Sequence, residues 1–241
     1  MNTEINENVE EIIKRLTEQC EIELDGRQFN CPEEMNQEEW AEIMDLAAGR
    51  LLENEFLLLL KLADENCNNF WEYCPGLLWD IHSRYSLDTV ITAATLAWQG
   101  DYLIPVEGEA FPIMAAGWNE PELIRRLVEE VKVSVDAYCE SDIFESTGSM
   151  LSMAARAGCV DICKYLLDMG ADPKGEMLEG ITCPLAEAVV GNHVEIARLL
   201  LERGASQQNI SYCYESFAPI DYARENGHQN MIDLLNIFSE Q

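Results

Sequence analysis

The chain has 241 residues and a formal charge of −30, with 48% hydrophobic and 25% charged residues. That much apolar material can bury a substantial core, so disorder is not the expected state. A field this negative works against binding nucleic-acid phosphates or anionic lipid and favours encounter with basic proteins, although it also keeps a protein dispersed without naming a partner.

In chain order, Asn6–Cys20 reads as an acidic amphipathic helix, placed to cap whatever follows. No basic segment followed by an apolar run opens the chain, and the longest apolar run, from Phe56, is too short to span a bilayer. The expected location is cytoplasmic. Glu21, Glu23, Asp25 and Gly26 fall at the first, third, fifth and sixth places of a calcium loop. The twelfth place is Pro32, where a bidentate glutamate is required, so calcium is not expected.

From Ala48 onward one pattern returns: a small or apolar anchor stands seven places before an acidic residue. The pairs are Ala48 and Glu55, Ile81 and Asp88, Ala115 and Glu122, Ala154 and Asp161, Ala188 and Glu195, and Ala223 with the amide Asn230. Successive anchors lie 33, 34, 39, 34 and 35 residues apart. Eight and twelve places beyond them come pairs such as Ile162 and Leu166, Ile196 and Leu200, and Met231 and Leu235, on one face of a helix. The pattern predicts two short helices per copy. Gly158, Asn192 and Gly227 fall where the chain reverses in a left-handed conformation, and Gly170 and Gly204 fall where the second helix stops. Proline fits the first turn of the first helix, where its missing N–H is no loss.

The copies at Ala48 and Ile81 lack this punctuation, carry Lys61 at an apolar place and put Trp79 in the first helix. They are either degenerate copies or a helical domain of another kind, and the persisting period favours the former. In the last copy Asn230, Asp233, Asn236 and Ser239 make a polar outer side, as the open end of a stack requires.

The stretch "TCPLAEAVVGNHVEIARLLLERGA" from Thr182, with Ala218–Leu235 and Gly148–Pro173, resembles the ankyrin repeat. From Phe111 the likeness is looser, with Pro112 one place late and no terminal glycine. The resemblance implies an all-α solenoid of about six stacked helix-turn-helix repeats. Residues 1–40 would be an acidic capping helix and linker, 41–110 divergent repeats and 111–241 clear repeats, all one continuous array. It also implies a structural role for His193 and His228, hydrogen-bonding backbone in the loop.

Signals of chemistry are few. Nine scattered cysteines without paired spacing read as reduced, buried thiols, and Cys159 and Cys163 share a helix face but lack a second pair for zinc. His82 has no nucleophile signature around it, and no phosphate-binding glycine loop or nucleophile elbow occurs. No catalytic residue, metal or cofactor is expected.

Recognition in stacked arrays falls on the loops between repeats. Three linkers are richer in aromatics and acids than stacking requires. The first carries Phe70, Trp71 and Tyr73; the second Tyr138, Asp142, Phe144 and Glu145; the third Tyr212, Tyr214 and Phe217. Either these rings bind a partner or they fold back over a neighbouring repeat; as a set they are expected to bind. The expected function is a non-catalytic, monomeric module that binds a basic protein through its finger loops and concave face. A sharper form is an acidic inhibitor or immunity protein covering a cationic toxin or nuclease. The alternative is a catalytic domain in the first 110 residues with an ankyrin arm for targeting.

Overall fold

Alternating charged and apolar residues over Glu21–Leu24 fold as a strand, β1, paired antiparallel with β2, Arg27–Asn30, so that Leu24 faces Arg27. The segment weighed as a calcium loop is thus largely strand. The computed structural model describes residues 21–24, 27–30, 35–48, 53–67, 70–74, 76–99, 111–139, 148–175, 183–208, 210–212 and 215–239. The capping helix expected over Asn6–Cys20 lies outside them. The chain divides into two compact units, Met1–Tyr102 and Leu103–Gln241, and the described residues of each are mainly helical.

In the first unit, α1 (Gln37–Ala47) opens on a capping box: Asn36 Oδ1 accepts from Glu39 N at 3.0 Å and Glu39 Oε2 accepts from Asn36 N at 2.8 Å. It is followed by α2 (Glu53–Asn66), the single turn α3 (Phe70–Tyr73), α4 (Leu77–Arg84) and α5 (Leu87–Gln99). Trp40, Phe56, Leu60, Phe70 and Ile81 fill the core. α5 packs on both α4 and α2, while α1 packs on α2 and on the short α3.

Glu53 ties two of these helices together. Its Oε1 accepts from Ser86 N at 2.9 Å and from the hydroxyls of Ser86 and Thr89, satisfying the start of α5 with a negative charge at the helix's positive end. Thr89 is 1% exposed, so its hydroxyl has no water to turn to. These hydrogen bonds hold the Glu53 carboxyl below its ordinary value of 4.5. The Glu53→Ala variant should lose about 1–3 kcal/mol in urea unfolding, the cost of stranding the buried Thr89 hydroxyl. Because the folded-state value is depressed, this contribution is present above pH 4.5 and is lost as pH falls through the lowered value; the two proteins should converge in acid.

The second unit repeats one supersecondary element. It runs α6 (Phe111–Ala115) and α7 (Pro121–Arg126), which continues as a π-helical turn at Leu127–Val131; then α8 (Met150–Ala157) and α9 (Val160–Asp168); α10 (Pro184–Val190) and α11 (Val194–Glu202); and α12 (Pro219–Glu225) and α13 (Gln229–Ser239). First helices stack on first helices, α6 on α8 on α10 on α12, and second helices stack likewise. Proline opens α10 and α12 at the expected place and opens α7 as well. At the start of α10 the thiol of Cys183 does the work of a capping hydroxyl, accepting from Ala186 N at 3.4 Å.

The anchors Ala115, Ala154, Ala188 and Ala223 are each the fifth residue of their first helix and are fully buried. Ile81 is likewise the fifth residue of α4. Ala48 departs from this rule. It stands just beyond the end of α1, so the first copy does not share the register of the others. The reversal between helices is left-handed at Gly158 (φ 76°), Asn192 (φ 54°) and Gly227 (φ 69°), as expected, and also at Asn119 (φ 59°).

Candidate functional site

Among the described residues, the linkers between the first and second and between the third and fourth helix pairs of the second unit form two-stranded hairpins. β3 (Tyr138–Cys139) pairs with β4 (Gly148–Ser149), and β5 (Ile210–Tyr212) pairs with β6 (Glu215–Phe217). These are the second and third linkers singled out by their aromatics. The antiparallel register closes each linker at its base, Tyr138 against Ser149 and Ile210 against Phe217.

The expected contact residues divide accordingly. Tyr138 lies on β3 and Tyr212 on β5, while Asp142, Phe144, Glu145 and Tyr214 lie outside the described residues. Phe217, on β6, stands 5.1 Å from the ring of Tyr222 on α12. Phe70 and Trp71 need correcting. They sit on α3, 1% and 5% exposed, with rings 5.2 Å apart, and Trp71 Nε1 donates to Asp64 Oδ1 at 2.9 Å. Residues packed this way belong to the core of the first unit and offer no finger to a partner; Tyr73 shares their helical turn.

His193 Nε2 lies 3.2 Å from the carbonyl oxygen of Arg156 in the preceding pair. A carbonyl only accepts, so the bond requires the tautomer with its proton on Nε2. The ring covers Gly158: a Cβ there would sit 2.8 Å from His193 Cε1, on a backbone at φ +76°. Gly158→Ala should therefore cost about 2 kcal/mol, from left-handed strain together with displacement of the imidazole. In a double-mutant cycle with His193→Ala, urea midpoints should show less than additive loss, because removing the ring relieves the clash. His228, at the equivalent place in the last pair, sits in an edge arrangement 6.3 Å from Tyr222, and its Nδ1 is buried without a hydrogen-bond partner.

One charged group that the sequence did not single out is buried in this unit. Glu187, the fourth residue of α10, is 3% exposed. Loss of water raises its carboxyl from 4.5 to about 7, opposed by the charge of Arg156, whose Nε is 3.9 Å from Oε2. Met114, Met153 and Tyr222 occupy the same fourth place on α6, α8 and α12, each half-buried. A row of side chains thus runs across the first helices, with a single carboxyl set into it.

The thiols behave as buried apolar groups. Cys67, Cys74, Cys159, Cys163 and Cys183 are buried thiols outside any disulfide, and burial pushes Cys74 and Cys163 up to about 12. Among the described residues no group of three or more His, Cys, Asp or Glu side chains could hold a metal ion. His82 lies in the last turn of α4, within a helix pair. No helix among the described residues is long and apolar enough to cross a membrane.

Comparison with known proteins agrees with this geometry. Residues 147–175, which span α8 and α9, match the ankyrin-repeat family. The chain is 38% identical over 93 residues to an ankyrin repeat protein of Rickettsia felis, covering 39% of this chain and 39% of that protein. It is 36% identical over 95 residues to the ankyrin repeat and KH domain-containing protein mask of Drosophila melanogaster, covering 39% of this chain and 2% of that protein. The matched segments are thus well under two thirds of either relative. Ankyrin repeats are protein-interaction modules. With their stacked pairs, left-handed corners and matched sequence, the helix pairs of the second unit are similar to ankyrin repeats, and residues 147–175 match that family directly.

Proposed function

We propose that the chain is a non-catalytic adaptor whose ankyrin array holds a basic protein through its hairpin linkers and the row of first helices. The observation that carries this reading is the position of the two hairpins. Each stands between consecutive helix pairs, in a linker that carries more aromatics and acids than stacking requires. Tyr138, Asp142, Phe144, Glu145, Tyr212, Tyr214 and Phe217 are the contact set, and Phe70 and Trp71 are withdrawn from it. Aromatic rings bring contact area with little side-chain entropy to lose, and interleaved acids select a cationic face. The net charge of −30 suits a role in covering a cationic partner, as an inhibitor or immunity protein does.

The test combines capture with kinetics. A photo-crosslinking residue at position 138 or 212 should capture the same basic protein, and one at the exposed Arg198 on α11 should not. With that protein purified, the association rate should fall by roughly an order of magnitude or more from low to high salt, while the dissociation rate changes little. An association rate indifferent to salt would remove the electrostatic part of the reading.

A further inference from the structure

The row formed by Met114, Met153, Glu187 and Tyr222 holds thioether, thioether, carboxyl and phenol at equivalent places on four stacked helices. An apolar side chain at position 187 would continue the row and spare the desolvation of a charge. The carboxyl that stands there gains little in return from the fold itself. Among the described residues no donor lies within hydrogen-bonding distance of it, and Arg156 approaches only to 3.9 Å while its own side chain is 42% exposed. The other charged groups on helices packed against α10 are turned to solvent: Asp221 and Arg224 of α12 pair with each other at 3.4 Å, and Glu195 of α11 is exposed. A recessed carboxyl with open hydrogen-bonding capacity, in a chain this acidic, is complementary to a cation from outside.

We propose that Glu187 is the seat for an arginine side chain of the protein partner, which enters between Met153 and Tyr222 and takes the place of Arg156 on the carboxylate. This rests on the proposed reading of the array as a binder of a basic protein. Arginine fits better than lysine. Its planar fork meets both carboxylate oxygens at once, and its weakly hydrated face can lie against the neighbouring phenol ring. When the guanidinium seats, the fraction of Glu187 still protonated releases its proton to solvent. Arg156, already half in water, turns outward.

The experiment needs no natural partner. The full chain, labelled with carbon-13 at the glutamate carboxyls, is titrated with an acetylated and amidated tri-arginine peptide, with tri-lysine as comparison. The Glu187 resonance is assigned by its loss in Glu187→Gln. Tri-arginine should lower the Glu187 titration midpoint by about one pH unit or more, tri-lysine by clearly less. Peptide affinity should drop at least several-fold in Glu187→Gln and rise in Arg156→Gln, where the internal competitor is gone. A midpoint unmoved at saturating peptide, or equal affinity in Glu187→Gln, overturns the proposal. Either result would leave the hairpin reading standing, because crosslinking at positions 138 and 212 tests that independently.

Discussion

Replacing Glu187 with methionine, the residue at the equivalent place on α8, should make the protein more stable at neutral and alkaline pH. The sign follows from proton binding. In the unfolded chain the carboxyl titrates near its ordinary value of 4.5, and in the folded chain near 7. Below pH 4.5 both states hold the proton, and Glu187 costs the fold little. Between pH 4.5 and 7 the unfolded chain releases a proton that the folded chain retains, so stability falls as pH rises, and above pH 7 the deficit is constant. Its size is on the order of 3 kcal/mol, at 1.36 kcal/mol for each pH unit between the two values. Removing Arg156's partner costs little, because that guanidinium is half exposed. Calorimetry of Glu187→Met against the parent should show melting temperatures that nearly coincide near pH 4 and diverge by several degrees near pH 8. A gap independent of pH would mean that packing, and not the buried charge, separates the two proteins. A group that weakens the fold and would strengthen a complex is what a binding residue is expected to be.

Phe70→Ala should be among the most damaging single changes in the first unit, lowering stability by about 3–5 kcal/mol, as large-to-small replacement of a fully buried aromatic does. The ring is 1% exposed and meets Trp71 edge-on at 5.2 Å, so truncation removes both buried area and an aromatic contact. Tryptophan fluorescence suits the measurement, because Trp40, Trp71, Trp79 and Trp98 all lie within residues 1–102 and only Trp118 lies beyond. The urea midpoint of that signal should move sharply. A finger residue would behave in the opposite way, leaving the midpoint in place and weakening partner capture.

The second unit was legible because its sequence repeats both a hydrophobic period and the backbone exceptions that the period needs. Gly158, Asn192 and Gly227 read as left-handed corners in the sequence itself, because few residues tolerate that conformation. The first unit lacks such markers. Ala48 satisfied the spacing but is not inside a helix, since a small residue at the right interval is weak information without a corner to fix the register. The β1–β2 hairpin is ambiguous in the sequence for a different reason. The alternation of Glu21, Ile22, Glu23 and Leu24, followed in sequence by Asp25 and Gly26, is a strong hairpin signal, but the same carboxylates invited comparison with metal ligands. Phe70 and Trp71 are ambiguous in sequence because aromatic richness marks cores and binding surfaces alike. Glu187 was invisible for a better reason: among 45 acidic residues, one becomes unusual only through what the folded chain packs around it.

The π-helical turn at Leu127–Val131 bears on how the modules of this chain can be exchanged. In the next two pairs the second helix closes with Ala171 N donating to Leu166 O at 3.0 Å and Ala205 N to Leu200 O at 3.0 Å, each bond spanning a glycine. In the first pair the matching bond runs from Val133 N to Leu127 O at 3.1 Å, one residue wider, and Lys132 takes the left-handed corner at φ 71°. One residue of the longer spacing between Ala115 and Ala154 is therefore stored inside the helical rod. A chimera cut at positions matched by simple counting would place its corner on Val131, a β-branched residue poorly suited to it. Such a graft has to carry residues 111–133 as an indivisible block.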